Sequence, residues 1–152
     1  MSENDHLNND SASSIVSVDS SLQLSYPLQK RTKIGDTEII STSYSDRHFV
    51  IITQLNKFGT LIEATAENVD FNSNKIYHIQ TLFGKRDDPL LAIYARQIIE
   101  NIATYSGNNE NNGTATGVKP LLLSIALNDN SRDSDSFTEI LNKLFEIATW
   151  IT

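Results

Sequence analysis

Apolar residues in the first two thirds of this chain recur at a spacing of two, and in two later stretches at the three-to-four spacing of a helix. The best-specified stretch runs from His48 to Leu91, HFVIITQLNKFGTLIEATAENVDFNSNKIYHIQTLFGKRDDPLL. Ahead of it, a first strand is predicted over Leu22 to Lys33. Gly35-Asp36 then makes a turn, because glycine takes positive φ without a Cβ clash. A second strand follows over Thr37 to Ser45, with Ile40, Thr42 and Tyr44 on one face. The third, His48 to Leu55, holds Phe49, Val50, Ile51 and Ile52 in succession, so both of its faces should be covered. Asn56 to Gly59 reverses the chain into a fourth strand, Thr60 to Ala66, with Ile62, Ala64 and Ala66 on one face. After a polar loop from Glu67 to Lys75, a fifth strand covers Ile76 to Phe83. Tyr77, Ile79 and Phe83 should face one way, Ile76 and Leu82 the other.

The period then changes. Asp88 is suited to cap a helix start and Pro89 to its first position, where a missing N–H costs nothing. Leu91, Tyr94, Ala95, Ile98, Ile102 and Ala103 form an apolar stripe, and the helix should end near Tyr105. Residues 106–117, SGNNENNGTATG, read as a flexible surface loop. A sixth strand is expected over Leu121 to Leu127, apolar on both faces. A capping box from Ser136 to Glu139 should open the last helix. Phe137, Ile140, Leu141, Leu144, Ala148 and Ile151 make its stripe, and Trp150 falls in its last turn against the core. The order β-β-β-β-β-α-β-α, with short turns between strands, predicts an α+β fold: an antiparallel sheet of about six strands with two helices. Such a sheet is about 25–30 Å wide, and two helices cover one face. The opposite face keeps apolar groups from the third, fifth and sixth strands, so either the sheet curls onto itself or another protein covers that face; an uncovered patch of that size is normally an interaction site.

Composition narrows the chemistry. The chain has 152 residues, enough for one domain, expected over 23–152. Residues 1–22 are rich in Ser, Asn and Asp and read as a disordered acidic tail, with Ile15-Val16-Ser17-Val18 its one strand-like part. The net charge is −7, but four of the 19 acids precede the first basic residue, leaving 15 against 12. No basic stripe suggests nucleic acid, and no apolar run nears the ~18–20 residues of a membrane span. There is no cysteine, hence no disulfide, thiolate nucleophile or Cys-bound metal. His48 and His78 lie in predicted strands and His6 in the tail, so structural roles are expected of them. Asp87 and Asp88 are adjacent carboxylates, explained by the helix start. No serine sits in a G-x-S-x-G elbow and no glycines form a phosphate loop. No catalytic, metal or cofactor-binding residue is therefore assigned, and no enzyme activity is expected. Lys57, Lys85 and Arg86 would form a small positive edge if their two turns share one end of the sheet.

FVIITQLNKFGTLIEA (Phe49 to Ala64) and LFGKRDDPLLAIYARQI (Leu82 to Ile98) together resemble the proteasome assembly chaperone 3 family. The preceding LQKRTKIGDTEIISTSYSD and the later LLLSIAL fit in pattern, so the likeness spans about Tyr26 to Trp150. It implies a small chaperone without ATPase activity, in the cytoplasm and by extension the nucleus. Such a protein dimerises with a related chaperone of the chaperone 4 type, helps build the α-subunit ring of the 20S proteasome, and leaves before maturation. No cofactor, nucleic acid or membrane is implied. The turn residues Asn56, Lys57, Phe58 and Gly59 and the link residues Gly84, Lys85, Arg86 and Asp87 match the family motif and are expected to be exposed, which makes them the candidate partner-binding set. The acidic tail and the Asn-rich loop depart from the pattern. A dimeric scaffold or adaptor in a trafficking or signalling complex is the alternative that fold and composition leave open.

Overall fold

The computed structural model describes residues 27–69, 74–106 and 117–151. The expected tail, the first residues of the expected first strand and most of the expected 106–117 loop lie outside them. The strands are β1 (Leu28–Ile34), β2 (Thr37–Ser43), β3 (His48–Thr53), β4 (Thr60–Asn68), β5 (Lys75–Phe83) and β6 (Leu121–Ala126). The helices are α1 (Pro89–Ser106) and α2 (Ser134–Ile147), the latter preceded by a single 3₁₀ turn at Asp129–Ser131. The fold class and the order of elements are those the sequence predicts.

One pairing is not. The sheet order is β1-β2-β3-β6-β4-β5. β6 lies between β3 and β4, parallel to the first and antiparallel to the second. The Asn56–Gly59 segment is therefore a crossover that steps over the end of β6, not a hairpin. Central placement gives β6 what its composition requires. Leu121, Leu123 and Ile125 are fully buried on the helix side, and Ser124 and Ala126 are buried on the other. Six residues, 54–59, are ample to span the two strand spacings, about 10 Å, that the step requires. Gly59 is the point of closest approach. A Cβ there would lie 2.0 Å from the Ile125 carbonyl oxygen, so no other residue fits without moving the strand.

β1 begins at Leu28, and the Gly35 turn has the expected positive φ of 55°. On β2 it is Ile39 and Ser41 that face the helices; Ile40 lies on the opposite face and Tyr44 beyond the strand. On β3, Val50 and Ile52 are fully buried, but Phe49 and Ile51 are only half-buried, so the expected cover on both faces is missing. On β5 the register slips by one residue opposite Leu61 and Ile62, where Thr81 pairs with Ile62 and Phe83 with Leu61. Leu82 is the extra residue of a bulge. The slip moves Phe83 off the face it would share with Tyr77 and Ile79 and leaves it 73% exposed.

Both helices pack on one face, α1 over β4, β5 and β6, and α2 over β1 and β2. α1 buries Leu91, Tyr94, Ala95, Ile98, Ile99, Ile102 and Ala103. Each large member contributes about 1.5–3 kcal/mol by leaving water. Tyr94 meets Phe137 of α2 edge-on, ring centroids 4.6 Å apart, which locks the helices together. Burial pushes the Tyr94 hydroxyl up to about 12, so it stays neutral.

Both helix starts rest on aspartates. Asp88 Oδ1 accepts from Leu90 N at 3.2 Å, as the sequence suggests. The same carboxylate is almost wholly buried, takes a hydrogen bond from Arg132 and has Lys85 Nζ 3.8 Å away. Burial alone would push its carboxyl up. The Arg132 bond and charge, the Lys85 charge and the Leu90 N–H outweigh that and hold it below the usual carboxylate range. α2 begins three residues earlier than expected. Asp133, not Ser136, is its cap, accepting from Ser136 N at 3.0 Å and from the Ser136 hydroxyl at 2.7 Å. An aspartate carboxylate opposes the helix dipole better than a neutral hydroxyl, which explains the shift.

α2 ends at Ile147, so Trp150 sits in a turn beyond the helix, not in its last turn. A buried polar network holds this segment to β2 and β3. Thr149 Oγ1 lies 2.9 Å from Ser41 Oγ and accepts from Ser43 Oγ at 2.7 Å. With its proton given to Thr149, Ser43 receives one from His48 Nδ1, also at 2.7 Å. That fixes the neutral Nδ1–H tautomer. The His48 ring packs against Trp150 at 5.5 Å, and Trp150 Nε1 donates to Asn101 Oδ1 at 2.8 Å.

Two predictions follow from these contacts. Asp88→Ala should lower unfolding free energy by more than the ~1 kcal/mol of a cap alone, because Arg132 and Lys85 lose their carboxylate partner as well. Asp88→Ser keeps the cap and should recover about 1 kcal/mol of that. Urea unfolding of the three proteins checks both. Burial first, and the Lys119 charge second, depress His48 from 6.5 to about 4. Between those values the unfolded chain binds the proton and the native one does not. Stability from this group is thus complete above 6.5 and declines as pH falls toward 4, by on the order of 2 kcal/mol. His48→Leu should flatten the stability profile in that window.

Candidate functional site

The crossover and the β5–α1 link do share one end of the sheet. Thr60 opens β4 beside Ile125, and Phe83 closes β5 beside Leu61. Gly59 N donates to Ser124 Oγ at 3.3 Å, and Lys85 N donates to Thr60 Oγ1 at 3.1 Å. Gly84, at φ 99°, passes so close to Thr60 that a Cβ would lie 2.8 Å from its Cα. Gly59 and Gly84 are thus needed for chain packing. With the β6–α2 link, the two turns border an open cleft of about 360 Å³, whose polar wall is Lys57, Lys85, Asp88, Asp129 and Arg132. Asp88 engages two of the three cations, so the cleft is only weakly positive. Lys57, Arg86 and Asp87 stand in solvent at its margin. Arg132 belongs to this wall, and nothing in its sequence neighbourhood announces that it would reach back across 44 positions to Asp88.

Asn56 and Phe58 face differently. Asn56 takes a left-handed φ of 51° and with Lys57 and Phe58 borders a shallow groove beside Ile51 and Thr53. The Phe58 ring folds back onto Phe49, centroids 6.4 Å apart and planes within 9°. Phe49 belongs to the sheet face away from the helices. The ladder registers place Ile40, Ile51, Leu61 and Phe83 in one transverse row of that face, and Phe49 beside Leu122 in the next. Phe58 is 68% exposed and Phe83 73%. Glu38, Glu63 and His78 rim the patch. Both described helices pack on the other face. The sequence-derived set is therefore split: Asn56 joins the open sheet face, Lys57 and Phe58 border both surfaces, and Lys85, Arg86 and Asp87 edge the cleft.

The histidines do not meet. His48 is buried on the helix side, whereas His78 is exposed on the open face with Nε2 3.0 Å from Glu67 Oε2. Among the described residues, no group of three His, Asp or Glu side chains is placed to hold a metal ion. No described helix is long and apolar enough to cross a membrane.

Comparison with known proteins agrees with this architecture. The family model for proteasome assembly chaperone 3 matches residues 50–147. Among similar relatives, the Bos taurus proteasome assembly chaperone 3 is 27% identical over 99 residues, covering 64% of this chain and 72% of the relative. The Nematostella vectensis protein of that name is 31% identical over 103 residues, covering 62% and 68%. A crystal structure of a chaperone complex for yeast 20S proteasome assembly superposes with a TM-score of 0.56 at 14% identity, over 80% of this chain and 97% of the other. The last likeness is one of fold. The matched segment runs from β3 through α2 and holds both sides of the cleft and most of the open sheet face, and the chain belongs to the proteasome assembly chaperone 3 family.

Proposed function

We propose that this chain is a non-catalytic chaperone for assembly of the 20S proteasome α-subunit ring. It acts as a dimer with a related chaperone of the chaperone 4 type, in the cytoplasm, and leaves before the particle matures. The observation that carries this reading is the unequal cover of the sheet. One face is buried under two helices; the other presents Ile40, Phe49, Phe58, Ile51, Leu61, Leu122 and Phe83 to solvent. A contiguous apolar face with a charged rim is the anatomy of a protein interface. The related chaperone occupies that face.

The cleft end is the surface for the α subunit. Lys57 and Arg86 are exposed at its margin, beside the Asp88-paired Lys85, and steer an acidic partner, while the polar cleft gives an interface of modest strength. Modest strength is what a temporary partner needs. The chaperone must hold a subunit until the correct neighbour arrives, then yield the surface to it.

Ile51→Asp places a charge at the centre of the open face without touching the helix-side core. It should weaken binding to the related chaperone by about 2 kcal/mol or more, roughly thirtyfold, with an unchanged melting temperature. Lys85→Glu with Arg86→Glu should leave that dimer intact. It should slow capture of α subunits about tenfold at low salt, with a smaller effect at high salt. Affinity purification reads both: wild type should bring down α subunits without mature protease activity. Stoichiometric retention of the chain in mature 20S particles would contradict the proposal.

A further inference from the structure

We infer that the outer edge of β5 takes up an extended segment of the captured α subunit as an added strand of the sheet. The inference rests on the function proposed above and specifies the form of the partner: a stretch of about five residues without charge, with acidic side chains at its ends.

The two edges of the sheet differ in chemistry. β1 carries Lys30, Arg31 and Lys33, charges that discourage further pairing. β5 runs from Lys75 to Phe83 and has no Lys, Arg, Asp or Glu from Ile76 onward. Among the described residues it pairs only with β4. That ladder is regular from Lys75 to Thr81, so the bulge at Leu82 leaves the whole stretch straight.

The phase of the ladder shows which groups of β5 are on offer. Val69 N donates to Asn74 O at 3.0 Å, which makes those two a hydrogen-bonded pair just ahead of the strand. Bonded and non-bonded pairs alternate along an antiparallel ladder. Ile76, His78 and Gln80 therefore bond to β4, whereas Tyr77, Ile79 and Thr81 turn their N–H and C=O groups outward. The side chains of these three lie on the helix face. Tyr77 and Ile79 pack against the core there but are only half-buried. The flank of α1 rises beside them. The Arg96 guanidinium sits 4.7 Å from the centre of the Tyr77 ring, and Ile93, about one turn earlier on the same side, is exposed. An added strand fills the step between edge and helix. It satisfies the outward backbone groups and completes the cover of Tyr77 and Ile79.

Charge and continuity identify the occupant. Lys75 stands at the start of the edge, and Arg86 and the Asp88-paired Lys85 stand past its end. Of the acids nearby, Glu67 bonds His78 and Glu100 pairs with Arg96, which leaves Asp87 in solvent. Acidic ends on the incoming segment match this bracket of cations. β5 leads directly into the Gly84–Asp87 link, at the margin assigned to the α subunit, while the related chaperone has the open face. The segment along the edge therefore belongs to the α subunit.

The test uses the full chain, alone and in its dimer with the related chaperone, with purified α subunits added one at a time. Hydrogen exchange resolved to single amides is the readout. A bound α subunit should slow exchange at Tyr77, Ile79 and Thr81 about tenfold or more and change His78 and Gln80 little, because those two are already bonded to β4. Thr81→Pro removes an outward N–H that the β4 ladder does not use, so the fold should persist. Capture of the α subunit should weaken about fivefold. Ile93→Glu, on the exposed flank of α1, should weaken capture without altering any backbone group. Unchanged exchange at the three outward amides in a complex that does form overturns the inference and leaves the proposed function standing. So does wild-type capture by both variants. Failure of every α subunit to bind overturns both. Slowing of the same amides in the chain alone as its concentration rises, or on adding the related chaperone alone, gives the edge a different occupant and overturns the inference.

Discussion

The arrangement depends on the burial demanded by one strand. β6 is apolar on both faces and can be stable only with a strand on either side and packing above and below. Insertion between β3 and β4 meets the first need, and it sets much of the rest. It forces the crossover over the end of β6, with Gly59 against the Ile125 carbonyl. It carries Phe58 back over the open face onto Phe49. It brings the crossover and the β5–α1 link together at the cleft.

The same insertion explains why the open face is apolar. The outward side of β6 is covered by the crossover at Ser124 and Ala126, but Leu122 remains half-buried. Its neighbours Phe49 and Ile51 are in the same state. Polar residues there would keep a lone copy soluble; Ile, Leu and Phe make the surface costly to leave in water and available for a partner. On the helix side, Asp88 joins the start of α1 to Arg132 ahead of α2. The hydroxyl chain through Ser43 and Thr149 ties the C-terminal turn to β2. The covered face is therefore pinned at both ends.

Much of this was legible in the sequence. Alternation located the strands, and the Asp88-Pro89 pair located the start of α1 to the residue. The surplus of apolar sheet surface followed from Phe49 to Ile52 and from Leu121 to Leu127. Strand adjacency did not follow, because a six-residue link serves a hairpin or a one-strand jump equally well. The apolarity of β6 was the available clue, since a strand buried on both sides belongs in the middle of a sheet. The bulge at Leu82 was hidden because it alters register without altering composition, and it reversed the facing of Phe83. The start of α2 was misplaced because Ser136 and Asp133 both offer capping chemistry, and the charged group prevailed. Of the candidate surface, the exposure of Lys57, Phe58, Lys85 and Arg86 could be foreseen. That Lys57 and Phe58 border both surfaces could not, since it depends on the path of the crossover in three dimensions.

The most direct measurement is the native mass of the purified chain, alone and mixed with the related chaperone. The account requires a particle containing one copy of each, formed through the sheet face that the helices leave bare. A chain that stays monomeric in every such mixture would contradict it.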